Sequence, residues 1–467
     1  GGKKIYTGVT ALTLDNGKTL AKARSPKLKS VDTLVSSPFY RNTSVADKYN
    51  GMTLYVDKDW TVEFRAYDDG IAYHWVYGGR KSVNIVDETV RYTFAEDFDT
   101  FTPYVRDYWD GDFEKQFHNS FESIYQELPI SHLSDTHLAF LPVAVDARDV
   151  KMLITESDIA GYPGLYLLHD KGTTIKGVHP RCPKSEHAGG YLGMQSVVSE
   201  REDYIAAITG ARGLPWRMAI ISPDDKGLAA SQLTYLLASP SRIVDISWIK
   251  PGKAAWDWWN SWDLTGVDFE AGVNQNTYKY YIDFAAKNGI EYVILDDGWS
   301  VPNCGDLFSV VPELDLPELI RYAEGKGVGI ILWAMYLPFE KDLEKVCRHY
   351  SRMGVKGFKV DFFDRNDQKM TAFLDHAAEV AARYHLILDY HGTYMPAGIN
   401  RKWPNVLNTE GVSGQEVMRA VTRERDQMRY DVLIPFIRQA GGPMDYTQGA
   451  MRNSTYTLKT SRPFIYD

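Results

Sequence analysis

Residues 357–363 read GFKVDFF, and this stretch decides the fold of the second half of the chain. Its apolar side chains alternate with Lys359 and Asp361, which is the period-two pattern of a β-strand with a lysine and a carboxylate on one face. In a barrel of alternating strands and helices, the C-terminal ends of the strands meet at one mouth. Other apolar runs also end in acidic residues: Asp296–Asp297, Asp389 and Glu410. The pattern therefore predicts a ring of carboxylates around the mouth of a barrel.

The chain from about Lys250 onward alternates between strand and helix patterns joined by short loops, as βα units require. The predicted strands are 255–259, 292–295, 328–334, 357–363, 385–390, 406–410 and 443–446. The predicted helices are 276–288, 316–326, 340–353, 367–383 and 416–438. These are seven strands of a (β/α)8 TIM barrel. No eighth strand is evident before Asp467: either it lies unrecognised in the last twenty residues or the barrel is incomplete, and we favour an incomplete barrel because an open barrel leaves exposed strand edges.

The residues before about 245 follow a different pattern, in which short alternating runs are separated by Asp and Gly turns. Trp60–Arg65 and Ile71–Val76 are examples. Such runs are typical of antiparallel strands, and their number predicts a large β-sandwich. We therefore expect two domains: a β-sandwich over residues 1–245 and a catalytic barrel over residues 246–467.

Composition excludes several classes of function. The net charge is −9 without a basic stripe, which argues against a nucleic-acid partner. No apolar run is long enough to span a membrane, so we expect no membrane insertion. The three cysteines (Cys182, Cys304 and Cys347) lack metal-ligand spacing. The chain has 12 Trp and 30 Tyr, and this excess favours carbohydrate, because the C–H faces of sugars stack on aromatic rings.

The carboxylates at the predicted strand ends suit glycoside hydrolysis, which needs one carboxylate at the anomeric carbon and a carboxylic acid at the leaving oxygen. Asp361 is the first candidate, and Lys359 on the same face would keep it ionised. The alternative is a solvent-facing aspartate at the start of a loop. Asp297 and Trp299 belong to the DDGW run after the second strand. They could bind a sugar hydroxyl and stack on the ring, or simply form a structural turn.

Three glutamates and a histidine extend the candidate site. Glu410 and Glu416 flank a Gly-rich turn, where one could hold a metal and the other donate a proton; alternatively, Glu416 begins the next helix. Glu156 ends a strand of the β-rich half and would suit Ca²⁺, which prefers oxygen ligands, unless it is a surface residue. His391 lacks zinc-ligand partners in the sequence, which favours a role as a donor to sugar hydroxyls.

Four segments together resemble glycoside hydrolase family 97. They are LPWR at 214–217, WIKPGK with WDWW between 248 and 259, GVKG with KVDF between 354 and 362, and NTEG at 408–411. The resemblance extends from about Tyr6 to the end of the chain. It implies an N-terminal β-super-sandwich followed by a (β/α)8 TIM barrel, with Ca²⁺ as the cofactor. It also implies a small C-terminal β-domain, for which we expect no counterpart before Asp467.

The resemblance also implies roles for individual residues. Inverting members of the family carry a base glutamate directly after the histidine of the fifth strand, and that position is Gly392 here. Retaining members carry an aspartate nucleophile at the end of the fourth strand, where this chain has Asp361. By the same matching, Glu416 is the acid/base, and Glu156 and Glu410 are calcium ligands. The matches at Asp297, Trp299, Lys359 and His391 imply contacts with the sugar.

The function that follows is a retaining exo-α-galactosidase that hydrolyses α-galactoside oligosaccharides. An α-glucosidase of the same family remains an alternative. So does an α-galactosidase of another clan, although its acid/base is typically an aspartate. A carbohydrate-binding relative without turnover would not need both Asp361 and Glu416. From the family resemblance we expect a periplasmic or secreted protein.

Overall fold

The computed structural model describes residues 4–105, 111–258, 261–300, 305–416 and 426–448. It contains a β-rich region followed by a region of alternating strands and helices. The change falls between a strand that ends at Ser222 and one that begins at Ala254. This order confirms the predicted fold class. No helix among the described residues combines the length and the apolar character needed to cross a membrane.

The described part of the first region contains antiparallel strands, three short α-helices and two 3-10 helices. The strands are β1 (Tyr6–Leu14), β2 (Thr19–Leu20), β3 (Arg24–Ser36), β4 (Ser44–Tyr55), β5 (Trp60–Tyr67), β6 (Gly70–Tyr77), β7 (Ser82–Phe94), β8 (Asp99–Pro103), β9 (Tyr125–Pro129), β10 (Val143–Asp146), β11 (Lys151–Ser157), β12 (Tyr166–Lys171), β13 (Thr174–Val178), β14 (Pro183–Gly189), β15 (Gln195–Arg201), β16 (Ala206–Thr209), β17 (Arg212–Gly213) and β18 (Trp216–Ser222). The helices are α1 (Phe113–Gln116), α2 (Asp225–Ala230) and α3 (Leu233–Leu237).

Two large sheets form the sandwich. One runs in the order β12-β13-β7-β1-β2, and the other runs β3-β4-β5-β6-β18-β11-β10-β8-β9. Apolar clusters join them: in one, Tyr92 and Leu167 from the first sheet pack with Val143 and Ile154 from the second, and in another, Leu12 and Ile85 pack with Trp60 and Trp75. Burial of these facing side chains is the main force that holds the two sheets together. The hairpin β14–β15 is a separate two-stranded sheet.

The second region contains a parallel sheet in the order β19-β20-β21-β22-β23-β24. Its strands are β19 (Ala254–Trp256), β20 (Tyr292–Leu295), β21 (Gly329–Met335), β22 (Gly357–Asp361), β23 (Ile387–Tyr390) and β24 (Val406–Thr409). Its helices are α4 (Gln275–Asn288), α5 (Leu316–Gly325), α6 (Tyr336–Met353), α7 (Gln368–Arg383), α8 (Ile399–Lys402) and α9 (Gln427–Leu433). Strand side chains such as Phe358 and Val360 pack against helix side chains such as Val346 and Phe373 in the largest apolar cluster.

Two predicted elements differ from the structure. Residues 443–446 were expected to be a strand, but they form none. They are tied to β24 at the Asp445 N–H, which donates to Thr409 O at 2.8 Å. The predicted helix 416–438 appears as α9, which begins at Gln427, and residues 417–425 lie outside the described ranges. Trp259, at the end of the first predicted barrel strand, also lies outside them.

The β-rich region reaches the end of β22 directly. The Asn119 N–H donates to Asp364 O, and the Gly164 N–H donates to Asn366 O, both at 2.8 Å. Arg365 Nη1 donates to Glu186 Oε1 of β14 at 2.5 Å. These bonds join the sandwich to the loop that follows Asp361. Residues of both regions therefore line the mouth of the parallel sheet.

Candidate active site

A cleft of about 690 Å³ opens where the ends of β22–β24 meet the sandwich. Asp361, His391, Glu410 and Glu416 line it from the parallel-sheet region. The sandwich contributes residues from the loop after α1 and from the hairpin β14–β15. Four of the sequence-predicted site residues therefore share one cleft. This is the position at which sites form in folds with parallel strands and helical crossovers.

Asp361 is held at both carboxylate oxygens. Trp333 Nε1 donates to Oδ2 at 3.1 Å, and the Phe362 N–H donates to Oδ1 at 2.7 Å. The chain turns sharply here: Phe362 has φ at +64°, and Asp364 follows at +51°. Left-handed backbone is unfavourable for a bulky L-residue, and such conformations cluster at functional sites. The chain thus adopts a strained turn that fixes the orientation of the Asp361 carboxylate.

Charges around Asp361 set its protonation. Burial raises the pKa of Asp361, while the charges of His391 and Lys359 oppose that rise. Lys359 is only 3% exposed, and its Nζ donates to Asp296 Oδ2 at 2.8 Å. The same ammonium group lies 4.1 Å from the centre of the Trp256 ring. Lys359 is therefore a buried, fixed cation beneath the cleft, which favours the ionised form of Asp361.

Glu416 has the properties of a group that exchanges protons near neutrality. Burial raises its pKa to about 7, although the positive charge of Lys359 acts to lower the pKa. Trp258 Nε1 donates to Glu416 Oε1 at 2.7 Å, which orients the carboxyl group. A carboxyl group with this pKa can give a proton in one step and take one back in the next.

His391 lies between carboxylates. Its Nδ1 is 3.2 Å from Glu410 Oε1, and its Nε2 is 2.6 Å from Asp445 Oδ2. Burial raises the pKa of Glu410, but the charge and hydrogen bond of His391 outweigh it and hold the pKa below its ordinary value. The Gly392 N–H donates to the other oxygen, Glu410 Oε2, at 2.8 Å. Glu410 is therefore ionised and firmly positioned.

Gly392 occupies a position where a side chain does not fit. Its φ is +52°, and a Cβ there would lie 2.7 Å from Asp364 Oδ1 and 3.0 Å from Phe362 N. Both neighbours belong to the turn that follows Asp361. An inverting-type glutamate at position 392 is thus incompatible with this turn as it stands.

The sequence analysis missed one acidic residue of the site and did not assign the role of another. Glu122 lines the cleft from the sandwich. Burial raises the pKa of Glu122 well above its ordinary value, and the charges of Glu410 and Glu416 raise it further. It lies in an irregular loop, so no periodic signal marks it. Asp296 is the other, because it, rather than Asp297, is the partner of Lys359. Only the DDGW motif pointed to this turn, without separating its two aspartates.

Two predicted roles, those of Trp299 and Glu156, need correction, and the role of Asp297 stays a prediction. Trp299 is 0% exposed and donates from Nε1 to Trp333 O at 2.8 Å, so it packs in the core and offers no face to a sugar. Asp297 is absent from the described residues that line the cleft. Glu156 is fully buried, accepting from the Leu165 N–H at 3.0 Å and pairing with Arg217, which leaves its oxygens engaged away from Glu410.

Comparison with known proteins identifies the family. The model for Glycosyl-hydrolase 97 N-terminal matches residues 7–240, and that for Glycoside hydrolase 97 matches residues 258–412. A retaining alpha-galactosidase of Bacteroides thetaiotaomicron is 55% identical over 460 residues, which are 97% of this chain and 70% of that protein. A probable retaining alpha-galactosidase of Streptomyces bingchenggensis is 30% identical over 392 residues, 83% of this chain and 54% of that protein.

A solved structure has the same fold. It is a Glycoside Hydrolase Family 97 enzyme in complex with acarbose, from Pseudoalteromonas sp. strain K8. It superposes with a TM-score of 0.82 at 21% identity, covering 98% of this chain and 72% of that one. Sequence and structure agree: the chain is a glycoside hydrolase and belongs to glycoside hydrolase family 97.

Proposed function

We propose that this enzyme is a retaining exo-α-galactosidase acting on α-galactoside oligosaccharides. One observation carries the proposal: an oriented aspartate, Asp361, and a glutamate with a pKa near 7, Glu416, line the same cleft. A nucleophile and an acid/base are the two groups that double displacement needs. The 55% identity to a retaining alpha-galactosidase supports both the substrate class and retention.

In the first half-reaction, Asp361 attacks the anomeric carbon while the bond from that carbon to the leaving oxygen breaks. Glu416 gives its proton to the leaving oxygen, so the aglycone departs as a neutral alcohol. In the second, the Glu416 carboxylate takes a proton from water. The water oxygen bonds to the anomeric carbon as the ester to Asp361 breaks, and the galactose product keeps the α configuration.

We further propose that a calcium ion binds in the cleft, where Glu122 and Glu410 would be its ligands. Carboxylate oxygens are the donors that Ca²⁺ prefers. Glu122 has carboxylate neighbours that raise its pKa, so a cation there would relieve their repulsion. When bound, the ion supplies positive charge to this crowded group of acids. Glu122 replaces Glu156 as the ligand from the sandwich, because Arg217 already neutralises Glu156.

The alternatives within the family differ in mechanism. An inverting α-glucosidase would need a base at position 392, and the space at Gly392 opposes one. A binding protein without turnover would gain nothing from a carboxyl group with the pKa of Glu416. Hydrolysis of α-galactosides with retention is therefore better supported than inversion or binding without turnover.

Two variants test the proposal together. Asp361→Gly should lose hydrolysis of nitrophenyl α-galactoside, and azide should restore turnover to give β-galactosyl azide. Glu416→Ala with azide should give the opposite anomer, α-galactosyl azide, because azide then attacks the galactosyl-enzyme. NMR identifies both products. Full activity of Asp361→Gly, or release of β-galactose as the first product of the wild-type enzyme, would contradict the mechanism.

The metal requirement is tested separately. Chelation by EDTA should remove activity on nitrophenyl α-galactoside, and Ca²⁺ should restore it. Undiminished activity of the metal-free enzyme would refute a calcium requirement without affecting the roles of Asp361 and Glu416. A preference for nitrophenyl α-glucoside over the α-galactoside would favour the α-glucosidase alternative.

A further inference from the structure

The turn of the hairpin β14–β15 lies over the cleft beside the nucleophile. Tyr191 is in this turn, is 46% exposed, and lines the cleft that contains Asp361. Its ring stacks on Phe362 with the centroids 4.9 Å apart and the planes inclined by 17°. Phe362 is the residue that follows Asp361 in the chain. An exposed aromatic ring from the sandwich thus rests against the turn that carries the nucleophile.

Buried polar contacts fix the hairpin turn in this position. The Tyr191 N–H donates to Gln195 Oε1 at 2.7 Å. The amide nitrogen of Gln195, a residue that is almost completely buried, donates to the Asp364 carboxylate. Gly190, with φ at +63°, allows this approach, because a Cβ there would overlap the Gln195 side chain. The ring of Tyr191 is therefore held relative to the turn after β22, as a binding surface requires.

Aromatic rings connect Asp361 with Tyr191. Trp333 donates to Asp361 Oδ2 and meets Phe362 edge-on, with the centroids 6.3 Å apart and the planes at 85°. Phe362 in turn stacks on Tyr191. Arg201 and Lys115 of the β-rich region line the same cleft. Because an exo-acting enzyme seats its terminal galactose at the nucleophile, the part of the cleft at the hairpin is available to the leaving group.

We propose that Tyr191 is the stacking platform of the leaving-group subsite and favours galactosides whose aglycone is a sugar ring. This rests on the proposed α-galactosidase activity. The face of an aromatic ring is electron-rich and attracts the polarised C–H groups on one side of a pyranose. A rigid tyrosine also gives a large contact area at a small entropic cost. The platform raises kcat/KM through the first half-reaction, in which the leaving group is still attached.

The test compares substrates that differ only in the leaving group: α-galactosyl fluoride, and galactose α-1,6-linked to glucose. Tyr191→Ala should lower kcat/KM for the disaccharide by about tenfold, the loss of roughly 1.4 kcal/mol of stacking. The same variant should stay within about twofold of wild type on the fluoride, whose leaving group cannot stack. Tyr191→Phe keeps the ring and should match wild type on both. Tyr55→Ala removes another exposed tyrosine, 47% exposed and outside the cleft, and is the matched control.

Each outcome has one meaning. An equal loss on both substrates would show that Tyr191 acts by supporting the turn after Asp361 and would overturn the subsite. An unchanged kcat/KM for the disaccharide would overturn it as well. Failure of the wild-type enzyme to hydrolyse α-galactosyl fluoride would instead refute the proposed function. Thermal melting of the variants identifies any loss that comes from misfolding.

Discussion

Replacing Gly392 with alanine tests whether the tight turn behind Asp361 sets the position of the nucleophile. Left-handed backbone costs an L-residue about 1–2 kcal/mol. The new Cβ would also lie 3.0 Å from Phe362 N and 3.1 Å from its Cα, and overpacking typically costs about 1–3 kcal/mol. Together these terms predict a destabilisation of about 2–5 kcal/mol.

The effect on activity should exceed the effect on stability. The overlap is relieved by moving Phe362, whose N–H holds Asp361 Oδ1 at 2.7 Å. A misplacement of about 1 Å at a reacting group can reduce the rate by about 10²-fold. We therefore expect kcat/KM for nitrophenyl α-galactoside to fall by about 10²-fold, with the protein still folded at 25 °C.

Gly289→Ala is the control for the backbone term. Gly289 ends α4 with φ at +65°, and a Cβ there meets nothing within 4 Å. Both variants should melt at a lower temperature than wild type, but only Gly392→Ala should lose activity. Initial rates and thermal melting curves measure the two effects. If Gly392→Ala retains the kcat/KM of Gly289→Ala, the turn does not depend on the absence of a side chain, and the reasoning is wrong.

Further predictions concern the supporting residues. Trp258→Phe removes the hydrogen bond to Glu416 and should lower kcat/KM by about tenfold on substrates with a sugar leaving group. It should have little effect on nitrophenyl α-galactoside, because that good leaving group needs less acid assistance, and equal losses on both substrates would contradict this role. Glu122→Gln should raise the Ca²⁺ concentration for half-maximal activity at least about tenfold, since it removes a charged ligand. Glu156→Gln should leave the Ca²⁺ concentration for half-maximal activity unchanged. It should destabilise the fold by about 3 kcal/mol, because it breaks a buried ion pair. If Glu156→Gln rather than Glu122→Gln raised the Ca²⁺ requirement, Glu156 would be the metal ligand. Trp299→Phe should lower the melting temperature by a few degrees, because it removes a buried hydrogen bond, and should leave KM unchanged. A raised KM would show that Trp299 contacts the sugar.

Strands β20 and β22 of the parallel sheet were predictable because both are buried on both faces and give way abruptly to an aspartate. Four residues of β22, from Gly357 to Val360, are buried and Asp361 is half-buried, which is the pattern that its alternating sequence indicates. The run at 443–446 looks similar in sequence but forms no strand. A short apolar run cannot by itself show whether a neighbouring strand offers it a ladder of hydrogen bonds.

The errors in the site have a common physical cause: local sequence does not report long-range partners. Glu156 ends a strand, as an exposed ligand might, but its partner Arg217 is 61 residues further along the chain. Trp299 follows an acidic turn, yet the turn directs it into the core. Glu122 lies in a loop without periodicity, and only the packing of the sandwich against the barrel mouth brings it to the cleft.

The dependence of the site on the sandwich has a consequence for the evolution of mechanism. The turn that orients Asp361 is tied to the sandwich through Asn119, whose N–H donates to Asp364 O, and it also fills the space above Gly392. The turn that follows the nucleophile and a base at position 392 therefore compete for the same volume. The retaining and inverting mechanisms then require different conformations of this turn. A change of mechanism therefore requires a rearranged turn as well as an exchanged carboxylate. On this reasoning, Gly392→Glu combined with Asp361→Gly would still lack a correctly placed base unless the contact with Asn119 were also remodelled.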